Sequence, residues 1–518
     1  MRRLSARDAS FLYSETVHAN SNISFIQIYD QATAPGGMVR FKTILSHIAS
    51  RLHRSPVFRS KLQRVPLELS HPGWVEDEHF DIEYHVRHIA LPKPGDWRQF
   101  CIQASRIHAR ALDLNRPLWE IYVIEGLDSF ADLPAGSFAL LTKVHRAAVD
   151  PAQCNELLDV LHDCTPHAPP PAPPEPWFAQ RPPGALSQAL RGATYTLLSP
   201  RKLMTPIIRA VPAALAFAGD LLKWPEYQNA TRFNSVVSPH RVFDTRRFLL
   251  DDFKAITALV PGATVDDAIV AVCAGGLRRY LELHGELPSG DLTGLAPAPA
   301  PSGLVQTAPV RLRLGTDTAD PVRRLAALHR QTSSASTVGR ARTQTHAQAI
   351  PQQPAEDDDT PAAGLALSTR LLGHAGLRRG RAPVACTITP LKGPDQPWFL
   401  AGARMTYLSA LLPIHDGQGL VFAVTVYDGR VVISPTSCRE LMPDPQVFTQ
   451  CVRDSFQEML ALAGPPLRPL ADAQPVRPPQ PRASSPGTRS PARRSARKAA
   501  TSPAAAPGAR PRSTAPRR

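Results

Sequence analysis

What these 518 residues have little of narrows their class first. The seven cysteines (Cys101, Cys154, Cys164, Cys273, Cys386, Cys438 and Cys451) are scattered, odd in number and never spaced C-x-x-C. That fits reduced thiols in a cytoplasmic protein better than a disulfide framework or a zinc site. No stretch reaches the ~18 consecutive apolar residues of a spanning helix. Arg2 and Arg3 are not followed by an apolar segment, so no secretory signal is expected. No G-x-S-x-G elbow exists to support a serine nucleophile. Acids are missing altogether between Ala473 and Arg518, where eleven Lys and Arg stand alone. Of the formal net charge of +15, that tail holds 11, leaving 15 − 11 = +4 for the rest.

What is present is enough apolar residue, 43%, for real cores, and a length suited to two or more domains. Proline, 54 residues, is about twice its usual share. It concentrates in a Pro-rich linker from Thr165 to Pro183 and in the tail, which predicts disorder after Gly464 because few apolar anchors offset the ordering entropy. Between linker and second half, the apolar stretch from Arg201 to Trp224 reads as a helix, either packed between domains or lying at a membrane interface.

Around these segments the chain reads as alternating strands and helices. Strands are expected at 23–29, around Ile82, Tyr84 and Val86, and at 138–144; helices at 41–52, 97–111 and 445–462. The strand at 82–86 would put His85 and His88 on opposite faces, against a shared metal. Thr264, followed by Asp266 and Asp267, caps a helix to about Leu281. Asp428-Gly429 marks a hairpin turn. Residues 337–361 are polar and read as a mobile loop.

The organising stretch is Phe138–Gln153. An apolar strand stops at His145-Arg146, and Asp150-Pro151 then offers a helix N-cap and first position. Polar side chains at a strand mouth are where ligands often sit. This stretch resembles the His-His-x-x-x-Asp-Gly motif of the wax ester synthase/diacylglycerol acyltransferase family, within the CoA-dependent acyltransferases. His145 and Asp150 match; Arg146 stands in place of the second His and Pro151 in place of Gly. Further likeness lies in the opening Leu-Ser-x-x-Asp-x-x-Phe-Leu at 4–12, in Arg-Pro-Leu-Trp-Glu at 116–120, in the Thr264 helix and in 398–444, while 289–313 and 383–394 match weakly.

The resemblance implies an α/β (α+β) fold of two chloramphenicol-acetyltransferase-like domains, each a mixed sheet flanked by helices, with the disordered tail appended. The divisions would be 1–164, the linker and crossover 165–230, 231–464 and the tail 465–518. It implies transfer of a long-chain acyl group from acyl-CoA, a co-substrate and not a bound cofactor, to a fatty alcohol or diacylglycerol. It also implies that position 146 carries the general base and that Asp150 supports the motif. An arginine, with a pKa above roughly 12, cannot accept a proton. His145 is then either a substitute base or a residue hydrogen-bonded beneath the motif, and the expectation is impaired catalysis. The alternative is a non-catalytic lipid- or acyl-CoA-binding relative. The basic tail would bind nucleic acid or anionic lipid, or simply solubilise the chain. Peripheral contact with membranes or lipid inclusions would follow from such substrates.

Overall fold

The computed structural model describes residues 2–64, 71–130, 133–134, 136–149, 154–169, 230–296, 310–342 and 384–464. Asp150, Pro151, most of the Pro-rich linker, the whole Arg201–Trp224 segment and the tail lie outside the described residues.

In chain order the first half runs β1 (Arg2–Arg3), α1 (Ala6–Tyr13), β2 (Asn22–Asp30), α2 (Phe41–Ala49), β3 (Ser60–Gln63), β4 (Gly73–Glu76), α3 (Ile82–His85), β5 (Val86–Ala90), α4 (Trp97–Ala109), β6 (Trp119–Glu125), β7 (Phe138–His145) and α5 (Cys154–Val160). The second half adds β8 (Arg241–Phe243), β9 (Arg246–Leu249), β10 (Thr293–Ala296), β11 (Val310–Arg313), β12 (Cys386–Lys392), β13 (Phe399–Leu400), β14 (Ala403–Leu411), β15 (Val421–Tyr427) and β16 (Arg430–Cys438). Its long helices are Val265–Leu283, Pro321–Arg342 and Pro445–Ala463.

One sheet has the order β13-β14-β2-β7-β6-β5 and the other β11-β10-β12-β15-β16-β8, with β9 also on β16; β1-β4-β3 form a small third sheet. The central strands of the first sheet are buried on both faces, which is why they read as nearly continuous apolar runs. On β7, Phe138, Leu140 and Val144 enter the main core, whereas Ala139 and Leu141 pack toward α4. Lys143 and His145 continue that second face by the two-residue period.

Strands β13 and β14, although late in the chain, complete the first sheet. Leu411 pairs with Ser24 and Arg404 with Asp30. The chain division at 230/231 is therefore not a spatial one. In the second half, Thr264 and Asp267 form a capping box at the head of the Val265–Leu283 helix. Gly276 lets the Pro445–Ala463 helix lie against it: a Cβ there would come within 2.8 Å of the Val452 backbone.

Two local expectations fail. Ile82–His85 is a helical turn, not a strand, because Asp81 accepts the Glu83 N–H (2.9 Å) and caps it; three alternating apolar residues were too few to set the period. And residues 337–342, expected in a loop, are helical, since the Pro321–Arg342 helix runs through them. A helix already nucleated propagates through polar residues at little cost. Residues 343–361 lie outside the described ones.

Candidate functional site

The site is built at the mouth of β7. Its last residue, His145, is tied to the residue just before β6 by its N–H donating to Leu118 O (3.0 Å). The chain then turns, and Ala148 N–H closes the turn on His145 O at 2.9 Å. Inside the turn the Ala147 N–H donates to His145 Nδ1 (3.0 Å). A nitrogen that accepts from an amide carries no proton, so the hydrogen of the neutral ring sits on Nε2. Nε2 in turn donates to Glu15 Oε1 (3.0 Å), which also receives the Ser21 N–H at 2.7 Å. The imidazole is 1% exposed, and its one lone pair is spent on the backbone.

Arg146 follows. Its N–H donates to Ser21 O (3.0 Å), and its guanidinium lies 4.1 Å from the centre of the Phe11 ring. Phe11 belongs to α1, started by Ser5, which accepts the Asp8 N–H at 3.0 Å. A half-buried ring thus supplies a cation–π platform for this guanidinium. The loop between α1 and β2 also reaches the second half, with Arg241 donating to His18 O at 2.7 Å.

Beneath the motif lies a buried charge cluster. Lys143 Nζ, fully buried, donates to Glu120 (2.8 Å) and to Ile107 O and Arg110 O at the end of α4. Burial pushes its ammonium pKa down, and Glu120 opposes that shift. Such a cation at a helix C-terminus also meets the negative end of the helix dipole. Trp119, wholly buried, donates to Phe58 O (3.0 Å), and His85 stacks on it at 4.5 Å. His88 instead pairs with Glu125 at 3.1 Å, so the two histidines share no ligand position. Cys154 is buried in α5, and Thr389 sits half-buried on β12 opposite Ala423. Among the described residues no three His, Cys, Asp or Glu converge as metal ligands.

The structure therefore brings His145 and Arg146 together with Glu15, Ser21 and Phe11, while Asp150 lies outside the described residues. Phe11 belonged to a matched segment but reads from sequence as core. Nothing local marks Glu15, whose partner is 130 residues away.

Comparison with known proteins identifies the family and the fold. The wax ester synthase/diacylglycerol acyltransferase catalytic domain matches residues 4–269, and the C-terminal domain of the same family matches 306–460. A Mycobacterium tuberculosis protein provisionally named a diacylglycerol O-acyltransferase is 30% identical over 476 residues, covering 89% of both chains. A second one, also 30% identical, covers 89% of this chain and 98% of its own. The solved wax ester synthase/diacylglycerol acyltransferase of Marinobacter aquaeolei superposes with a TM-score of 0.63 at 24% identity, over 89% of this chain and 100% of that one. A trichothecene 15-O-acetyltransferase of Fusarium sporotrichioides shares the fold more distantly, at a TM-score of 0.52 and 11% identity, over 89% of this chain and 95% of that one.

Proposed function

The chain belongs to the wax ester synthase/diacylglycerol acyltransferase family, and we propose that it is an acyl-CoA-dependent O-acyltransferase by scaffold whose proton-transfer step is crippled at position 146. The reaction would join a long-chain acyl group to a fatty alcohol or diacylglycerol. As the alcohol oxygen attacks the thioester carbonyl, its proton must pass to a base, and CoA leaves as the thiol. A neutral imidazole does this at neutral pH and contributes about 10²–10⁴ in rate.

Arg146 is a permanent cation and takes no proton. The observation that carries the reading is the state of its neighbour: His145 would have to surrender the Ala147 N–H before it had a lone pair to offer. Resting on Phe11, the Arg146 guanidinium is suited to hold an anion, such as the oxyanion or a CoA phosphate, rather than to remove a proton. Acyl-CoA enters as co-substrate. Contact with lipid would be peripheral, as no helix among the described residues is long and apolar enough to cross a membrane.

The test is CoA release from palmitoyl-CoA with hexadecanol or diacylglycerol, wild type beside Arg146→His. Wild type should barely exceed the blank, and the variant should gain about 10²-fold or more. Wild-type turnover equal to that of Arg146→His sinks the reading. A variant that binds acyl-CoA yet stays silent would make the chain a binding module.

A further inference from the structure

The far edge of the second sheet carries an open hollow of about 590 Å³, rimmed by arginines, that acyl transfer at position 146 leaves unexplained. Edge strand β11 contributes Arg311 and Arg313, which share one face of the strand. The Pro321–Arg342 helix contributes Ala327, Arg330, Gln331 and Ser334, spaced i, i+3, i+4, i+7 along a single stripe. Leu312 and Ala327 are apolar members of the lining. Its volume falls within the roughly 300–1,000 Å³ of small-molecule sites, more than a bare phosphate needs.

The wall is held in place from behind. Arg324, 2% exposed, donates to Gly315 O (3.2 Å) and Thr318 O (2.8 Å), and Arg278 donates to Thr316 O. These two buried-side arginines occupy the carbonyls of the loop that forms the rim. Gly315 turns that loop with φ +67°, and a Cβ there would stand 2.9 Å from Arg324 Cγ. Across the hollow, Gln331 clamps Arg313 at both backbone groups, accepting its N–H (2.8 Å) and donating to its carbonyl (3.0 Å). Two carboxylates are present and both are engaged. Asp291 Oδ1 receives Thr316 N–H (2.8 Å) and its hydroxyl, while Oδ2 lies 3.4 Å from Arg313 Nε; Asp317 receives the Thr318 hydroxyl at 3.1 Å. Among the described lining residues three guanidinium groups stand beside two carboxylates.

We propose that this hollow is a binding site for a phosphate ester, the chemistry shared by nucleotides and coenzyme A, read by the guanidinium groups of Arg311 and Arg330. Planar arginine forks match phosphate oxygens in pairs, and a preorganised wall loses little on binding. The site is independent of what stands at position 146.

Titration calorimetry on the full chain tests it, with coenzyme A, ATP and inorganic phosphate as separate probes, against Arg311→Gln and Arg330→Gln whose melting is first checked against wild type. Binding of at least one probe should weaken about tenfold or more in each variant, and should fall further as salt rises. Loss confined to coenzyme A identifies the coenzyme; parallel loss for ATP identifies a general nucleotide site; loss for phosphate alone, a small-anion site. No heat from any probe, or affinities unchanged in both variants, overturns the proposal. Either result leaves the gain expected of Arg146→His untouched, so the two readings fail separately.

Discussion

At the mouth of β7, His145 donates Nε2–H to Glu15 and accepts Ala147 N–H at Nδ1. At the head of the Val265–Leu283 helix, His329 faces Asp267 with Nδ1 (2.9 Å), and Asp267 also receives Thr264 N–H (2.9 Å) and the Thr332 hydroxyl (2.7 Å). Each is an imidazole against a carboxylate, the arrangement that often orients a base. In the first, the ring's lone pair is consumed by the turn it supports. In the second, the carboxylate pins one helix to another, and Ser333 Oγ stands 3.5 and 3.4 Å from the two ring nitrogens. An oxygen equally distant from both cannot lie on the in-plane axis of either, so no serine relay is formed. The difference teaches that a neighbouring carboxylate says little about catalysis; what matters is where the remaining lone pair points.

The largest effect expected on that comparison comes from giving the site an imidazole whose lone pair is not yet spent. Arg146→His should raise CoA release about 10²-fold or more. Adding Glu15→Leu, which unpins the turn, should take back about tenfold of that gain; a double variant as fast as the single would show that the Glu15 lock does not aim residue 146.

Histidines buried without a carboxylate behave differently again. Burial pushes His108 and His162 down to about 3. The unfolded chain takes up these protons below about pH 6.5, while the fold does not until about pH 3. Stability should therefore fall on acidification across that window, by about 1.4 kcal/mol per pH unit for each ring once the unfolded form is charged. Urea midpoints at descending pH check it, and His162→Gln should flatten the slope; an identical slope in both proteins contradicts the assignment.

Asp267→Ala should cost about 1–3 kcal/mol in the same unfolding experiment, since it removes one half of the capping box and leaves the His329 donor without its carboxylate. Burial raises the Asp267 carboxyl, but the hydrogen bonds from Thr264, Thr332 and His329 outweigh it and hold the group below its usual range. Its contribution is thus complete above about pH 4 and fades only as pH drops through the lower folded value, beneath most of the histidine window. The smallest effect is at Glu15→Gln, about 1 kcal/mol or less in thermal melting, because an amide oxygen still accepts from Ser21 and His145. A loss as large as that of Asp267→Ala would mean that the two carboxylates are equivalent staples after all.

Much of this architecture is visible before any coordinates. The apolar runs of β2 and β7, the Thr264 cap and the Asp428-Gly429 turn are local signals with local causes, and each element forms where its residues call for it. Ile82–His85 escaped because a single Asp81 cap outweighed a three-residue alternation. The return of Phe399–Leu411 to the first sheet has no local signal, since pairing of Leu411 with Ser24 depends on partners nearly 400 positions apart. Of the site, the identities of His145 and Arg146 were legible, and the grip of Glu15 and Phe11 was not.

Residue type alone determined that position 146 carries a permanent cation, because no environment in a protein makes a guanidinium an ordinary proton acceptor. Only the folded chain decided the fate of the imidazole beside it. Whether a histidine can act as a base depends on which groups occupy its two nitrogens, and here those groups come from Ala147, two residues on, and from Glu15, brought across by the pairing of β2 with β7.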